Sequence, residues 1–408
     1  MSKPPSYQPI TALIHHPYVA PEGFVAVQPA IYKASTVIFP DVSAMHQRTW
    51  RVPGNHYSYG LHGTPTTFTL QERLATLEGG THALLAPSGL SAIGLVNLAL
   101  LNQGDDVLIP QNVYGPNLDM VDQVLGRLGV THQVYDPMQP NLLPALITPK
   151  TRLIWLEAAG SVTMEFPDII ALLKIARAHQ LIAALDNTWG AGLAFNPFEL
   201  PEGLAVDISV HALTKYPSGG ADILMGSIVT RDEALHQQLK YTQQYLGINV
   251  AANDAEIVLR SLPSMKVRYT AQDQAARALA TWLATRPEIA QVLHPALPDS
   301  PGHAAWQAIC TTEDVPQGLA AGLFTITFKS EYSDADVQRF CERLKLFKLG
   351  YSWGGPMSLV VPLRFQSLRG SKHGPTPHLV QGGMVRFSIG LEDVRDLKVD
   401  IEHAFSGL

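Results

Sequence analysis

Cysteine is nearly missing from this chain: its 408 residues contain only Cys310 and Cys341. The two are far apart and form no Cys-x-x-Cys pair, so neither a disulfide framework nor a zinc site is suggested, and a reducing, cytoplasmic setting fits. Charge is scarce as well, at 16% of residues against 46% hydrophobic. That balance excludes a disordered chain and implies extensive burial, part of it against other subunits. With a net charge of −6 and no basic cluster, nucleic acid is excluded as a partner. No apolar run reaches the ~18 residues of a membrane span. The opening "MSKPPSYQPITALIHH" lacks the apolar core and small-residue cleavage site of a secretory leader. No Gly-x-Gly-x-x-Gly follows a strand and no Gly-Lys-Ser/Thr loop occurs, which removes support for nucleotide binding. Internal repeats and low-complexity segments are also missing.

What is present falls into three stretches, in a chain long enough for more than one core. Residues 1–62 carry Pro4, Pro5, Pro9, Pro17, Pro21, Pro29, Pro40 and Pro53, which forbid long helices and predict an extended arm ordered against a neighbouring subunit. Residues 63–255 alternate apolar runs with helical periodicity. "TLQERLATLEGG" places Leu70, Leu74 and Leu77 on one face and stops at Gly79-Gly80. "HALLAP", "DVLIP", "TRLIWLEA", "LIAALDN" and "VDISVHALT" are strand candidates, and "DIIALLKIARAHQ" is an amphipathic helix between two of them. This is an α/β pattern: a mostly parallel central sheet whose ligand site lies beyond the carboxyl ends of its strands. Residues 256–408 mix helices such as "AARALATWLATR" and "DADVQRFCERL" with strands such as "GLFTITFK" and "MVRFSIG", as in a smaller C-terminal α+β domain on the substrate side.

The strand ends collect particular side chains. "LIAALDN" delivers Asp186, and "VDISVHALT" carries Thr214 and Lys215 at its end. Taken alone, Asp186 reads as a cap and Lys215 as a solvated cation. "APSGLSAIG" opens a helix at Ser88 and Gly89, where unpaired N–H groups and the positive dipole end suit a phosphate. Taken alone, that segment reads more readily as an ordinary Ser cap with Gly for packing. Tyr114, in "VLIPQNVYGPN", could stack on a flat ligand or shield the sheet edge. A phosphate turn, an aromatic face, a buried-strand carboxylate and a lysine together match what pyridoxal phosphate requires.

In order, the words "LEGG", "PSGLSAIG", "NVYGP", "GSVTME", "DNTWGAG", "TKYPSGG", "HPALP", "YSWGG" and "VRFSIGLEDV" resemble the Cys/Met-metabolism family of pyridoxal-phosphate enzymes, and within it the cystathionine β-lyase branch. The likeness runs from about residue 35 to the C-terminus. It implies a fold type I, aspartate-aminotransferase-like PLP-dependent transferase architecture in a homo-oligomer, usually a tetramer built as a dimer of dimers. Lys215 matches the lysine that forms the cofactor Schiff base, and Asp186 the partner of the pyridine nitrogen. Tyr114 matches the ring-stacking tyrosine, while Gly89, Leu90, Thr214 and Ser88 match phosphate contacts. Arg386 matches the arginine that grips the substrate α-carboxylate. Ser352 and Trp353 match the wall of the substrate pocket, and Tyr59 a tyrosine lent by the neighbouring subunit. The activity implied is α,β-elimination of an amino-acid thioether, in which cystathionine gives pyruvate, ammonia and homocysteine.

Some positions depart from the pattern. Leu61 stands where the family usually has an arginine for the phosphate, with His62, Arg48 and Arg51 nearby. Ala158-Ala159 replaces a usual Ser-Pro, Ala212 a usual Ser, and Met357 a usual Glu. These leave the cofactor expectation standing and keep other outcomes open: a γ-lyase, γ-synthase or sulfhydrylase of the same family, or a non-catalytic binding subunit with the same fold.

Overall fold

The computed structural model describes residues 7–17, 22–48, 54–313, 315–364 and 377–408. Among the described residues of the proline-rich beginning, the α-helices are two short ones, α1 (Pro9–Ile14) and α2 (Val42–Gln47). Leu13 of α1 is fully buried against Leu70 and Leu74 of the same chain, so this part of the arm packs at home. Val25, Val27 and Ile38 are more than four-fifths exposed, at 88%, 84% and 82%. Helix α3 (Pro65–Glu78) starts ahead of the predicted Thr69: Thr64 caps it reciprocally with Thr67, and Pro65 fills a first-turn position where no N–H is needed. Gly79 ends it at φ +78°.

A seven-stranded sheet follows, in the order β1-β7-β6-β5-β4-β2-β3. Its strands are β1 (His82–Ala86), β2 (Asp106–Pro110), β3 (Thr131–Tyr135), β4 (Thr151–Glu157), β5 (Ile182–Asp186), β6 (Ile208–His211) and β7 (Gly226–Thr230). All pairings among β2 to β6 are parallel, and β7 runs antiparallel to both its neighbours. The period-two alternation of each strand feeds two separate cores. Ile154, Leu156, Ala183 and Leu185 face one, while Leu153, Trp155 and Ala184 face the other. Helices cover both faces, among them α4 (Gly89–Leu100), α5 (Gly115–Met120), α6 (Ile169–Ala178) and α7 (Glu233–Tyr245). This is the architecture of fold type I.

One expectation needs correction. Strand β6 stops at His211, so Thr214 and Lys215 sit in a tight turn rather than on the strand. The turn closes through Lys215 N–H to the Ala212 carbonyl and through Thr214 Oγ1 to the Met225 carbonyl.

Two further helices, α8 (Ala252–Ser261) and α9 (Met265–Leu283), lead to a second sheet. Its strands are β8 (Ile289–Leu293), β9 (Leu323–Phe328), β10 (Lys348–Leu349), β11 (Leu359–Arg364) and β12 (Gly383–Ser388), in the order β10-β11-β12-β9-β8. Helix α10 (His303–Cys310) intervenes before β9, and α11 (Asp334–Arg343) and the C-terminal helix Val394–Phe405 pack with this sheet. Phe324, Phe328, Phe340 and Phe387 are all fully buried between them. Each such ring contributes roughly 1.5–3 kcal/mol on burial.

Candidate active site

At the carboxyl ends of β2, β4, β5 and β6 lies a cavity of about 610 Å³. Ten of the residues singled out from the sequence line it: Ser88, Gly89, Leu90, Tyr114, Asp186, Thr214, Lys215, Ser352, Trp353 and Arg386. Tyr59 does not. It is 47% exposed and makes an isolated bridge with Thr36.

One end of the cavity is a helix start. Ser88 caps α4 by accepting from Ser91 N–H at 3.0 Å, which leaves the Gly89 and Leu90 amides in the first turn, where helices have no internal acceptors. The fit is close on both sides. A Cβ added at Gly89 would lie 2.6 Å from Ala212 Cβ, and one at Gly226 would lie 2.4 Å from the Ser88 carbonyl oxygen. Among the described residues lining the cavity, the only basic side chains are Lys215 and Arg386. Arg48 is exposed and outside it, His62 is engaged by Ser58 Oγ at 2.9 Å, and Arg51 lies outside the described residues.

The floor holds two carboxylates that parallel pairing brings side by side, Glu157 on β4 opposite Asp186 on β5. Asp186 Oδ1 accepts from the Thr188 N–H at 3.0 Å and the Thr188 hydroxyl at 2.5 Å. Burial pushes its carboxyl up, while Thr188, His211 and Lys215 oppose that shift. Glu157 is pushed well up, first by burial and then by Asp186, although the Tyr114 N–H donates to its Oε2 at 2.7 Å. Burial thus favours the protonated form at both carboxyls, most strongly at Glu157, and at Asp186 the Thr188 hydrogen bonds and the nearby cations oppose it. Burial and both carboxylates also raise the Tyr114 phenol, keeping its proton in place.

Lys215 projects from its turn towards the second sheet. Its Nζ donates to Ser352 Oγ at 2.8 Å and lies 5.3 Å from the centre of the Trp353 ring. Burial, and secondarily Arg386, lowers its pKa to about 8, against a smaller opposing pull from Asp186. Ser352 adopts φ +83°, a strained conformation for a residue with a Cβ, and Gly354 at φ +80° abuts the backbone of Lys215 and Tyr216. Arg386, on β12, donates from Nη2 to the Ser352 carbonyl at 3.3 Å. Its Nε is buried without a hydrogen-bond partner, and no ion pair joins it to a described carboxylate. The commoner fate of a strand arginine, a surface ion pair, is not the one seen here.

Several lining residues had no place in the sequence reading as site residues: Glu157, Thr188, Tyr351 and Leu224. Glu157 carries a signal of the same kind as Asp186, since it ends a buried strand. Tyr351 and Leu224, 86% and 71% exposed, form the mouth and have no periodic signature. Met357, 54% exposed, is outside the lining.

A model of the Cys/Met metabolism PLP-dependent enzyme family matches residues 10–406. The chain belongs to that family. It is 39% identical over 94% of its length to a putative cystathionine β-lyase of Rhizobium johnstonii, covering 92% of that protein. It is 36% identical to a cystathionine β-lyase of Bordetella avium, over 97% of both chains. The fold matches a crystal structure of metB from Corynebacterium glutamicum with a TM-score of 0.86 at 26% identity, covering 98% of each chain. Members of the family depend on pyridoxal phosphate. No helix among the described residues is long and apolar enough to cross a membrane.

Proposed function

We propose that this chain is a pyridoxal-phosphate-dependent carbon–sulfur β-lyase that cleaves L-cystathionine or a related cysteine thioether. The observation that carries the reading is one cavity lined by a lysine amine with a pKa near 8, a buried, hydrogen-bonded Asp186 and an Arg386 whose buried Nε has no hydrogen-bond partner. The residues fit the cofactor. The Gly89 and Leu90 amides, the Ser88 start of α4 and the Thr214 hydroxyl suit a phosphate through helix-terminus polarity, and among the described residues lining the cavity the only arginine is Arg386. The Tyr114 ring suits the flat face of the pyridine, and Asp186, held by Thr188, suits its protonated nitrogen. When bound, pyridoxal phosphate supplies an electron sink for negative charge at the substrate α-carbon.

The protein's own groups do the rest. Lys215 is the residue that would hold the cofactor through its amine, and that amine, when free and neutral, would serve as the base for the substrate α-proton. Arg386 clamps the α-carboxylate with parallel N–H bonds, which sets the orientation of the Cα–H bond. Loss of that proton and expulsion of the β-thiolate break the Cα–H and Cβ–S bonds. With water the products are pyruvate, ammonia and the free thiol, homocysteine from cystathionine. Trp353, Tyr351 and Leu224 give the apolar wall that suits a thioether chain. Tyr114 and Tyr59 are candidates for proton handling.

Tyr59 takes part only if a neighbouring subunit brings it to the cavity, so a homo-oligomer, a tetramer as a dimer of dimers, belongs to the proposal. The exposed apolar side chains Val25, Val27 and Ile38 support it. Within the same reading, residues 1–62 are the intersubunit arm, 63–255 the cofactor domain and 256–408 the substrate-side domain. A cytoplasmic setting is consistent with two buried free thiols. The deciding experiment supplies L-cystathionine and identifies the products. Pyruvate with homocysteine is expected; 2-oxobutyrate with cysteine means γ-cleavage and sinks the β-lyase reading.

A further inference from the structure

We propose that His82, Glu233 and His236 form a binding site for one divalent transition-metal ion, best matched by zinc, outside the catalytic cavity. The sequence suggested no metal, because its cysteines are two and isolated, and these three residues approach one another only through the sheet. β1 is an edge strand and pairs antiparallel with β7, which sets His82 opposite Thr230. The chain then turns directly into α7, whose first turn puts Glu233 and His236 on one face at the i,i+3 spacing.

The donors converge. His82 Nε2 is 3.0 Å from Glu233 Oε2, and His236 Nδ1 is 4.0 Å from Glu233 Oε1. The two imidazoles stack with centroids 4.6 Å apart and planes 12° from parallel, and ligand atoms of all three residues lie within 4.8 Å of one another. Zinc bonds of about 2.0–2.2 Å to nitrogen and carboxylate oxygen place tetrahedral donors roughly 3.3 Å apart. Because the stacked rings hold their in-plane lone pairs nearly parallel, one imidazole must turn out of the stack to bring its nitrogen to that spacing.

A second feature points to a ligand at the same place: His236 Nδ1 is buried and has no hydrogen-bond partner. A buried ring nitrogen left without a partner is costly, and a metal ion satisfies it. Gln237 Nε2 donates to Glu233 Oε1 at 2.7 Å, an outer contact of the kind that orients a ligating carboxylate. Access is open from the Glu233 side, which is 51% exposed, and leaves room for a water as the fourth ligand. The local cation Lys240 opposes binding, though its Nζ is directed to the Gly54 carbonyl at 3.2 Å. Two imidazoles and one carboxylate favour zinc over calcium or magnesium, which prefer oxygen. Both thiols are buried and offer no competing site. Bound metal would staple the edge strand β1 to α7. Ser88 follows β1 at its other end, so the reacting groups are left untouched.

The test uses chelator-treated holoenzyme, with zinc titrated calorimetrically and cobalt(II) as a visible-spectrum probe of its coordination. Wild type should bind one zinc per chain and gain thermal stability on saturation. His82→Gln, Glu233→Gln and His236→Gln should each weaken binding at least tenfold and lose the stability gain, with elimination activity kept. Because the chain has 15 histidines and its cofactor can itself chelate metals, the comparison with variants decides the site. Glu233→Gln alters an exposed side chain and guards against a folding artefact in His236→Gln. No saturable zinc binding by wild type, or unchanged affinity in two or more of the three variants, overturns the proposal.

Discussion

The Lys215 amine gives the sharpest test of the site, because its reactivity is set by surroundings rather than by its own chemistry. At its ordinary pKa of 10.5, only about 0.1% would be neutral near pH 7.5, whereas at about 8 roughly a quarter is neutral, a gain of about 200-fold in nucleophile. The perturbation is to vary the groups that set this value in cofactor-free protein. Trace labelling with an amine-acylating reagent, read at the Lys215 peptide by mass spectrometry across pH, measures its titration directly. Wild type should show a midpoint near 8. Arg386→Met removes a neighbouring positive charge and should move the midpoint up by up to about one unit, while Asp186→Asn removes a favourable charge and should move it down. The first shift stays partial because burial is the larger cause.

The same depression has a signature in stability. In the cofactor-free protein the unfolded chain holds the lysine proton up to about pH 10.5, while the folded chain releases it near 8, so folding should become more favourable with rising pH across that window. Below about pH 8 both states are protonated and the full penalty applies, up to about 3 kcal/mol before the Ser352 hydrogen bond offsets part of it. A wild-type labelling midpoint near 10.5, or one that ignores both substitutions, would refute the reasoning.

Arg386→Ala leaves the substrate carboxylate without its paired donors; at about 1.5–3 kcal/mol for hydrogen bonds to a charged group, kcat/KM should fall roughly 10- to 150-fold. Steady-state kinetics check this, and a change under about threefold would remove Arg386 from substrate binding. Thr188→Val deletes the hydroxyl bond at 2.5 Å on Asp186 Oδ1 and raises that carboxyl further. The acidic limb of the pH–rate profile should move to higher pH and cofactor should dissociate faster, and an unmoved limb counts against Asp186 as the ring-nitrogen partner. Trp155→Phe removes the donor that meets Asn97 Oδ1 at 2.8 Å between β4 and α4, both fully buried. The stranded carbonyl should cost about 1–3 kcal/mol in urea unfolding, and a loss under about 0.5 would mean that the core repacks around it.

Much of this architecture was legible because it is written locally. The apolar runs ending in Asp186 and Glu157 mark buried strands, and Ser88 with Gly89 marks a helix start, since capping and period-two burial depend on near neighbours. In the seven-stranded sheet, two strands had weaker signals. β3 lies at the sheet edge, where Thr131 is exposed and His132 and Gln133 are only partly buried, and β7 is a short run after the Lys215 turn. The end of β6 was misread because apolar residues continue past His211, while the backbone bonds that close the turn go to Ala212 and Met225.

By itself, then, the sequence determined the alternation that builds the sheet, the helix start at Ser88 and the family resemblance. Tertiary structure decided what those groups feel. Register placed Glu157 against Asp186, burial left the Arg386 Nε without a hydrogen-bond partner among the described residues and lowered the lysine, and the β1–β7 pairing carried His82 to Glu233 and His236. The physical reason is range: propensity and capping act over a few residues, whereas desolvation and charge coupling depend on which distant side chains share a space from which water is excluded.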